Sequence, residues 1–417
     1  MDHQDFLWGV ATSAYQSEGG YNGPGQPRTN WAAVEESGDV AVTGKAADFW
    51  NRYEEDFARC RALGLNAFRL GIEWSRVQPT PGKLDARRSS AELSPAAAAL
   101  NSEIDIQAAR GFDRKALDHY VAILTSCQEH GLEPVVTLQH FVHPSWLGPD
   151  AWLSPETPAL FAAYVREVVS YISPRLPRPL RWFITINEPN MLVLNTYLGR
   201  QFPAKAGSGL TSMTSAYNGL LTAHILAYNV IHDLYEKSGW PAPQVALNNY
   251  CSDLYWSDKL LLDLLCARER GVTQEGVGEY IGQCVRVFEE AFERARIPLH
   301  KDPSYYFGAL VKRLSDWIGA RHFRAERFAP LLNALYASPR ERVLDFIGLD
   351  YYDPFAAHAF RLPVFWDHEF KNKSFRSWVL STVTSKWWDW RVLPRGLHFF
   401  CQHYAEDFNR PVLIAEN

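Results

Sequence analysis

Short apolar runs alternate with longer amphipathic stretches along most of the chain. Seven of these runs are typical of strands buried on both faces: FLWGVAT, LNAFRLGI, EPVVTLQH, RWFITIN, PQVALNNY, VLDFIGLDYY and PVLIAE. Strands of this kind that alternate with helices predict a parallel sheet covered by helices. The sequence therefore predicts an α/β fold of the (β/α)8 TIM-barrel type, incomplete at the C-terminus, with seven of the eight strands visible.

The stretches between the strands have a helical period, and several of them end at a glycine. Gly64, Gly131 and Gly239 each stand where a left-handed residue would end a helix. Two stretches interrupt the alternation: a small-residue-rich loop at about 80–112 and a mostly helical segment at about 251–341. We expect one barrel domain over residues 1–417, in which both insertions shape a substrate entrance or the helical one forms a packing or oligomer surface.

Composition narrows the class of protein. With 42 basic and 47 acidic residues, a net charge of -5 and no long run of one sign, the chain predicts neither a nucleic-acid nor a membrane partner. The six cysteines are scattered without C-x-x-C spacing, and the N-terminus lacks the pattern of a signal peptide, so we expect reduced thiols and a cytoplasmic protein.

Two alternative kinds of site are disfavoured. A dinucleotide-binding sheet would need G-x-G-x-x-G after the first strand, whereas the glycines of SEGGYNGPG have another spacing. His140 and His143 form H-x-x-H, but on an extended chain residues three apart point to opposite sides, so one metal could not take both without a turn at Phe141–Val142. We therefore expect no metal.

Two glutamates stand at predicted strand ends, Glu188 after the fourth strand and Glu416 at the end of the seventh. In a barrel the strands end at one common face, where active sites are built. A pair of carboxyl groups there can break a glycosidic bond, because one protonates the departing oxygen while the other attacks or stabilises the anomeric carbon. Taken alone, either glutamate also fits a salt-bridged surface group.

The stretches that carry these residues together resemble the signatures of family 1 glycoside hydrolases, the retaining β-glucosidase family. In chain order they are FLWGVATSAYQSEGG, NAFRLGIEWSRVQPTPG, EPVVTLQHFVHPSWL, FITINEPN, DFIGLDYYDP, and DWRVLPRGL followed by RPVLIAEN. The resemblance runs from residue 6 to residue 417. Six signatures in family order make it specific.

The resemblance implies a catalytic role for four residues. Glu188 of the N-E-P motif matches the acid/base and Glu416 of A-E-N matches the nucleophile. Arg69 matches the cation that keeps the nucleophile ionised, and Tyr352 matches the residue that hydrogen-bonds it.

The resemblance also implies a set of substrate-binding residues. Asn187 matches the residue that grips the sugar 2-hydroxyl, and Gln16 and His140 match residues that bind hydroxyls further round the ring. Asp350 stands in this set where the family commonly has asparagine, a change that could shift the pH optimum or the sugar preference.

The resemblance thus implies a retaining exo-β-glycosidase that acts through a covalent glycosyl-enzyme intermediate without cofactor. Its partner would be a small-molecule or oligosaccharide β-glycoside, and a homo-oligomer stays open. Full-length relatives continue past the nucleophile with an eighth strand and helix that bind sugar, so one alternative is a truncated, weak or inactive carbohydrate-binding relative. A further alternative is a 6-phospho-β-glycosidase, which shares the fold and the carboxylates.

Overall fold

A computed structural model describes residues 6–81, 111–359 and 390–417. The small-residue-rich loop predicted at about 80–112 lies almost entirely outside the described residues. Within them, the chain forms seven strands, each at one of the predicted apolar runs: β1 Gly9–Ala11, β2 Ala67–Gly71, β3 Glu133–Thr137, β4 Trp182–Asn187, β5 Gln244–Tyr250, β6 Ile347–Asp350 and β7 Val412–Glu416.

Helices separate the strands. In the described part of the chain they are α1 Ala14–Ser17, α2 Ala32–Glu36, α3 Phe49–Ala62, α4 Trp74–Val77, α5 Arg114–Glu129, α6 Thr157–Ile172, α7 Pro189–Val193, α8 Gly209–Ser238, α9 Lys259–Cys266, α10 Val277–Ala295, α11 Pro303–His322, α12 Ala329–Ala337, α13 Ala356–Ala359 and α14 Pro394–Phe408. Gly64, Gly131 and Gly239 have φ values of 77°, 68° and 67°, which confirms the predicted left-handed helix ends.

The chain folds into two compact units. The first comprises Met1–Asn248 and Asn333–Phe346, and the second comprises Asn249–Leu332 and Ile347–Asn417. In the first unit, β1 to β5 pair in parallel in chain order. In the second unit β6 pairs in parallel with β7, and Cys251, just after β5, donates its N–H to the carbonyl of Asp350 at 2.9 Å.

Parallel strands need a crossover connection between them, and the helices supply it. In the first unit α6 packs along α8, and the strands present fully buried side chains such as Phe68, Val136, Phe183 and Val245. Apolar side chains on both faces of a strand are the pattern of helix-covered parallel strands. The fold is of the predicted (β/α)8 TIM-barrel type, with seven of its strands in the described residues.

The segment predicted as a mostly helical insertion at about 251–341 is helical, and α9 to α12 lie in it. One face of α11 exposes the large apolar side chains of Tyr306, Leu310, Leu314 and Trp317. A role for this segment as an oligomer surface stays a prediction. Among the described helices, none is both long and apolar enough to cross a membrane.

Candidate active site

The end of β4 carries the first predicted carboxylate. Between Ile184 and Asn187 the pairing of β4 with β5 shifts by one residue, so β4 has a bulge just before Glu188. Glu188 is buried and has φ 39° and ψ 62°, a left-handed conformation that is uncommon for a residue with a side chain. Its N–H donates to the carbonyl of Asn248 at 2.8 Å, and Pro189 begins α7 directly after it. The bulge and the tight turn together fix the backbone from which the Glu188 side chain projects.

Asn187 is the centre of a buried hydrogen-bond network in the first unit. Its Oδ1 accepts hydrogen bonds from the guanidinium of Arg69 and from Nδ2 of Asn248, the latter at 2.9 Å. Arg69 also donates Nε to Oγ1 of Thr137 at 2.9 Å. Because arginine can only donate, the Asn187 atom that faces Arg69 must be the oxygen, which leaves Nδ2 directed toward His140.

The ring of His140 is neutral and has a defined proton position. Burial, together with the charge of Arg69, holds the pKa of His140 well below its usual range. Asn187 Nδ2 lies 3.5 Å from Nε2 of His140 and can only donate, so Nε2 accepts and Nδ1 carries the proton. The neutral ring of His140 is thus held against Asn187 by its Nε2 atom.

The backbone between His140 and His143 is not extended. The two histidines were expected to point to opposite sides of an extended chain, and that premise is wrong here. Phe141 has φ 67°, and Val142 donates its N–H to the carbonyl of His140 at 2.8 Å, which makes a tight turn. Nε2 of His143 lies 2.9 Å from the carbonyl oxygen of Gly148. Among the described residues, no group of three potential metal ligands includes either histidine.

Gln16 lies on α1, just after β1, and its side chain is exposed. Its Oε1 accepts a hydrogen bond from the hydroxyl of Ser13. Two residues later, Glu18 is buried and accepts hydrogen bonds from Arg76 Nε at 2.9 Å and from the Tyr120 hydroxyl at 2.8 Å. The buried ion pair thus holds the segment that carries Gln16 to the segment that follows β2.

We expect the replacement of Arg76 by alanine to lower the free energy of unfolding by roughly 3–5 kcal/mol, because it leaves the Glu18 carboxylate buried without its cation. Burial already raises the pKa of Glu18 in the presence of Arg76. Chemical denaturation measures the change. As a control, Arg59→Ala removes a solvent-exposed ion pair with Glu55 and should leave the midpoint almost unchanged. Equal shifts for the two variants would contradict the expectation.

The end of β7 carries the second predicted carboxylate. In the pairing of β6 with β7, Leu349 faces Ile414 and Asp350 faces Glu416, so Ala415 is the extra residue of a bulge. The Tyr352 hydroxyl donates to Oε2 of Glu416 at 2.9 Å. The hydrogen bond restricts the orientation of the Glu416 carboxyl group. A fixed orientation suits a group that must approach a reacting carbon.

Tyr352, the donor of this hydrogen bond, packs against two other aromatic rings of the second unit. Tyr352 stacks on Tyr250 with ring centres 5.8 Å apart and planes 19° apart, and it lies 4.8 Å from Trp390. Packing against two rings restricts how the Tyr352 phenol can turn. Tyr352 was predicted from the sequence as a site residue, whereas Tyr250 and Trp390 were not.

The predicted site residues form one group in each unit. The first unit joins Arg69, Asn187 and His140 in one network, with Glu188 next in the chain and Gln16 on a separate segment. The second unit joins Tyr352 to Glu416, which faces the buried Asp350 in the β6–β7 ladder. The roles of these residues stay predictions.

Besides the two ring partners of Tyr352, two contacting residues were not predicted from the sequence. Thr137, which orients Arg69, is the last residue of β3, so the rule that singled out the other strand ends would have found it. Asp353 directly follows the predicted sixth strand, in the stretch DFIGLDYYDP, so the same rule could have marked it, but the segments that it contacts could not be predicted.

Comparisons with known proteins show which family the chain belongs to. The family model described as Glycosyl hydrolase family 1 matches residues 3–87 and 108–272. A 6-phospho-beta-galactosidase 1 of Streptococcus pneumoniae serotype 4 is 25% identical over 429 residues, which cover 99% of this chain and 78% of that protein. A 6-phospho-beta-galactosidase of Lacticaseibacillus casei is 24% identical over 415 residues, covering 97% of this chain and 76% of that protein.

Solved structures show the same fold. The crystal structure of the beta-glucosidase from Trichoderma harzianum superposes with a TM-score of 0.57 at 22% sequence identity, and the match covers 99% of this chain and 77% of that one. The family match spans the segments that hold the first-unit network and the N-E-P motif. The chain therefore belongs to glycosyl hydrolase family 1 and is an O-glycosyl hydrolase of the β-glycosidase class.

Proposed function

We propose that the chain is a retaining exo-β-glycosidase in which Glu188 is the acid/base and Glu416 is the nucleophile. The observation that carries the proposal is the pair of bulged strand ends: β4 bulges just before Glu188 and β7 bulges just before Glu416. Bulges next to active sites redirect a side chain from the regular alternation of a strand. The hydrogen bond from Tyr352 supports the nucleophilic role, because it fixes the orientation of the Glu416 carboxyl group.

The proposed reaction has two displacements. In the first, a Glu416 carboxylate oxygen attacks the anomeric carbon while the glycosidic C–O bond breaks, and Glu188 gives its proton to the departing oxygen. In the second, Glu188 takes a proton from a water molecule, whose oxygen attacks the same carbon and displaces Glu416. Two inversions return the β configuration, and both carboxyl groups regain their starting protonation.

The first-unit network supports a substrate-binding role for Asn187. Its Oδ1 is occupied by Arg69 and Asn248, so its orientation is fixed before a sugar binds. We propose that Asn187 binds the sugar 2-hydroxyl, a contact that strengthens in the transition state. His140, Gln16 and Asp350 would bind other hydroxyls of the same ring.

The names of the curated relatives favour a β-galactoside that carries a 6-phosphate as the substrate. An unphosphorylated terminal β-glucoside is the other candidate within the same family. A phosphate recognised by charged donors typically adds about 1.5–3 kcal/mol per charge-assisted hydrogen bond, which is roughly 10- to 100-fold in affinity.

We expect 4-nitrophenyl β-D-galactoside 6-phosphate to be hydrolysed with a kcat/KM at least about tenfold above those of the unphosphorylated β-galactoside and β-glucoside. Release of 4-nitrophenol measures all three rates, with Glu416→Ala as the blank. A preference for an unphosphorylated sugar would overturn the proposed substrate class but not the proposed β-glycosidase activity. Rates equal to the blank on every substrate would overturn the proposed activity.

A further inference from the structure

Asp353 is a buried carboxylate that immediately follows Tyr352 in the second unit. It makes three contacts with three different segments. One carboxylate oxygen, Oδ2, accepts the backbone N–H of Arg391 at 3.0 Å, and the other, Oδ1, lies 3.1 Å from Nδ1 of His358. Its backbone carbonyl accepts the hydroxyl of Tyr250 at 3.0 Å.

These contacts tie Asp353 to every member of the aromatic cluster formed by Tyr250, Tyr352 and Trp390. Tyr352 is its neighbour in the chain, Tyr250 is bound through the carbonyl, and Trp390 precedes the Arg391 N–H that the carboxylate accepts. The ring centres of Tyr250 and Trp390 lie 6.4 Å apart, and both rings contact Tyr352. One residue therefore fixes the spacing of three rings that come from distant parts of the sequence.

The network around Asp353 is anchored on both sides. The Arg391 guanidinium donates to Oδ2 of Asp302 at 2.9 Å, and Asp302 caps the N-terminus of α11 by accepting the N–H of Tyr305. On the other side, the N–H of Ala356 at the start of α13 donates to Oδ1 of Asp253 at 2.7 Å. The carboxylate of Asp353 thus lies between two capped helices, which limits its movement.

We propose that Asp353 is a positioning residue for the nucleophile. By fixing Tyr250 and Trp390 against Tyr352, it orients the phenol whose hydroxyl donates to Glu416 at 2.9 Å. It acts through geometry and does not touch the reacting atoms. The expected effect on turnover rests on the proposed function, whereas the effect on the order of the cluster does not.

Two substitutions of Asp353 distinguish a loss of its hydrogen bonds from a loss of its negative charge. Asp353→Ala removes both acceptors, so the Arg391 N–H and the His358 ring each lose this one contact. Asp353→Asn keeps an oxygen for the Arg391 N–H, and its Nδ2 can donate to Nδ1 of His358 once the imidazole proton moves to Nε2. We therefore expect the asparagine variant to keep most of the order of the aromatic cluster that the alanine variant loses.

Hydrogen exchange read by mass spectrometry tests the positioning without any substrate. In Asp353→Ala, exchange in the fragments that contain Tyr352 and Trp390–Arg391 should accelerate about tenfold, and Asp353→Asn should remain close to the parent protein. Asp316→Ala, which removes an ion pair with Lys312 on α11, is the matched control and should change neither fragment. Unchanged exchange in Asp353→Ala would overturn the proposal.

A double-mutant cycle tests the link to Glu416. Asp353→Ala and Tyr352→Phe should each lower kcat about tenfold, and the double variant should fall no further than Tyr352→Phe alone, because both act through one hydrogen bond. If the loss of kcat in the double variant equals the product of the two single losses, the link between Asp353 and Glu416 is overturned. If the parent protein hydrolyses no substrate of the panel, the proposed function fails, and hydrogen exchange alone then decides the role of Asp353.

Discussion

Replacement of Glu416 by alanine should lower kcat on an aryl β-glycoside by roughly 10⁴- to 10⁶-fold, because no carboxylate remains to form the glycosyl-enzyme bond. Glu416 is the last residue of β7, and the Tyr352 hydroxyl is its hydrogen-bond donor. The loss should appear in kcat, since the missing bond forms only as the reaction proceeds. Release of 4-nitrophenol measures it.

Azide distinguishes a lost nucleophile from a damaged fold. In Glu416→Ala, the removed side chain leaves room for a small anion to attack the anomeric carbon directly. That reaction is one displacement, so the product should be an α-glycosyl azide, with inverted configuration, and the rate should recover in part. Glu406→Ala, which removes an exposed glutamate of α14, should keep the parent rate. A β-glycosyl azide from Glu416→Ala would contradict the assignment.

The strand order of the β/α units could be predicted, but the strand bounds could not. The run VLDFIGLDYY predicted ten residues of strand, whereas β6 covers Ile347–Asp350. The strand begins later than predicted because of Asp345. Its carboxylate accepts the N–H of Val245 at 2.9 Å and the hydroxyl of Tyr228 at 2.8 Å. The Asp345 side chain thus takes the N–H that a backbone carbonyl would accept in a regular ladder, and the hydrophobic pattern does not show this.

The bulges in β4 and β7 could not be predicted from the sequence either. Each adds one residue to a strand, and the apolar runs FITIN and VLIAE read the same with or without it. Register depends on the partner strand, so a single strand read by itself cannot reveal it. The residues of N-E-P and A-E-N could be singled out because each motif is local, whereas the contacts of Asp353 join segments that are distant in the sequence.

Replacement of Glu188 by alanine should give a loss that depends on the leaving group. A poor leaving group, such as a second sugar, needs the proton of the acid/base, so its release should slow by roughly 10²- to 10⁴-fold. A good leaving group, such as 2,4-dinitrophenol, departs without protonation, so the first step should stay fast. The second step then limits the rate because no base activates water, and a burst of dinitrophenol followed by slow turnover is expected.

Azide should restore turnover of Glu188→Ala on the dinitrophenyl substrate with the opposite stereochemistry to Glu416→Ala. Azide needs no base, and it attacks a carbon already bound to Glu416, so two inversions give a β-glycosyl azide. Glu73→Gln is the matched control: burial raises the pKa of Glu73 to about 8, so the amide resembles its protonated form. That variant should show no burst and no response to azide. If Glu188→Ala slows all leaving groups alike, the carboxyl group serves binding or folding and transfers no proton.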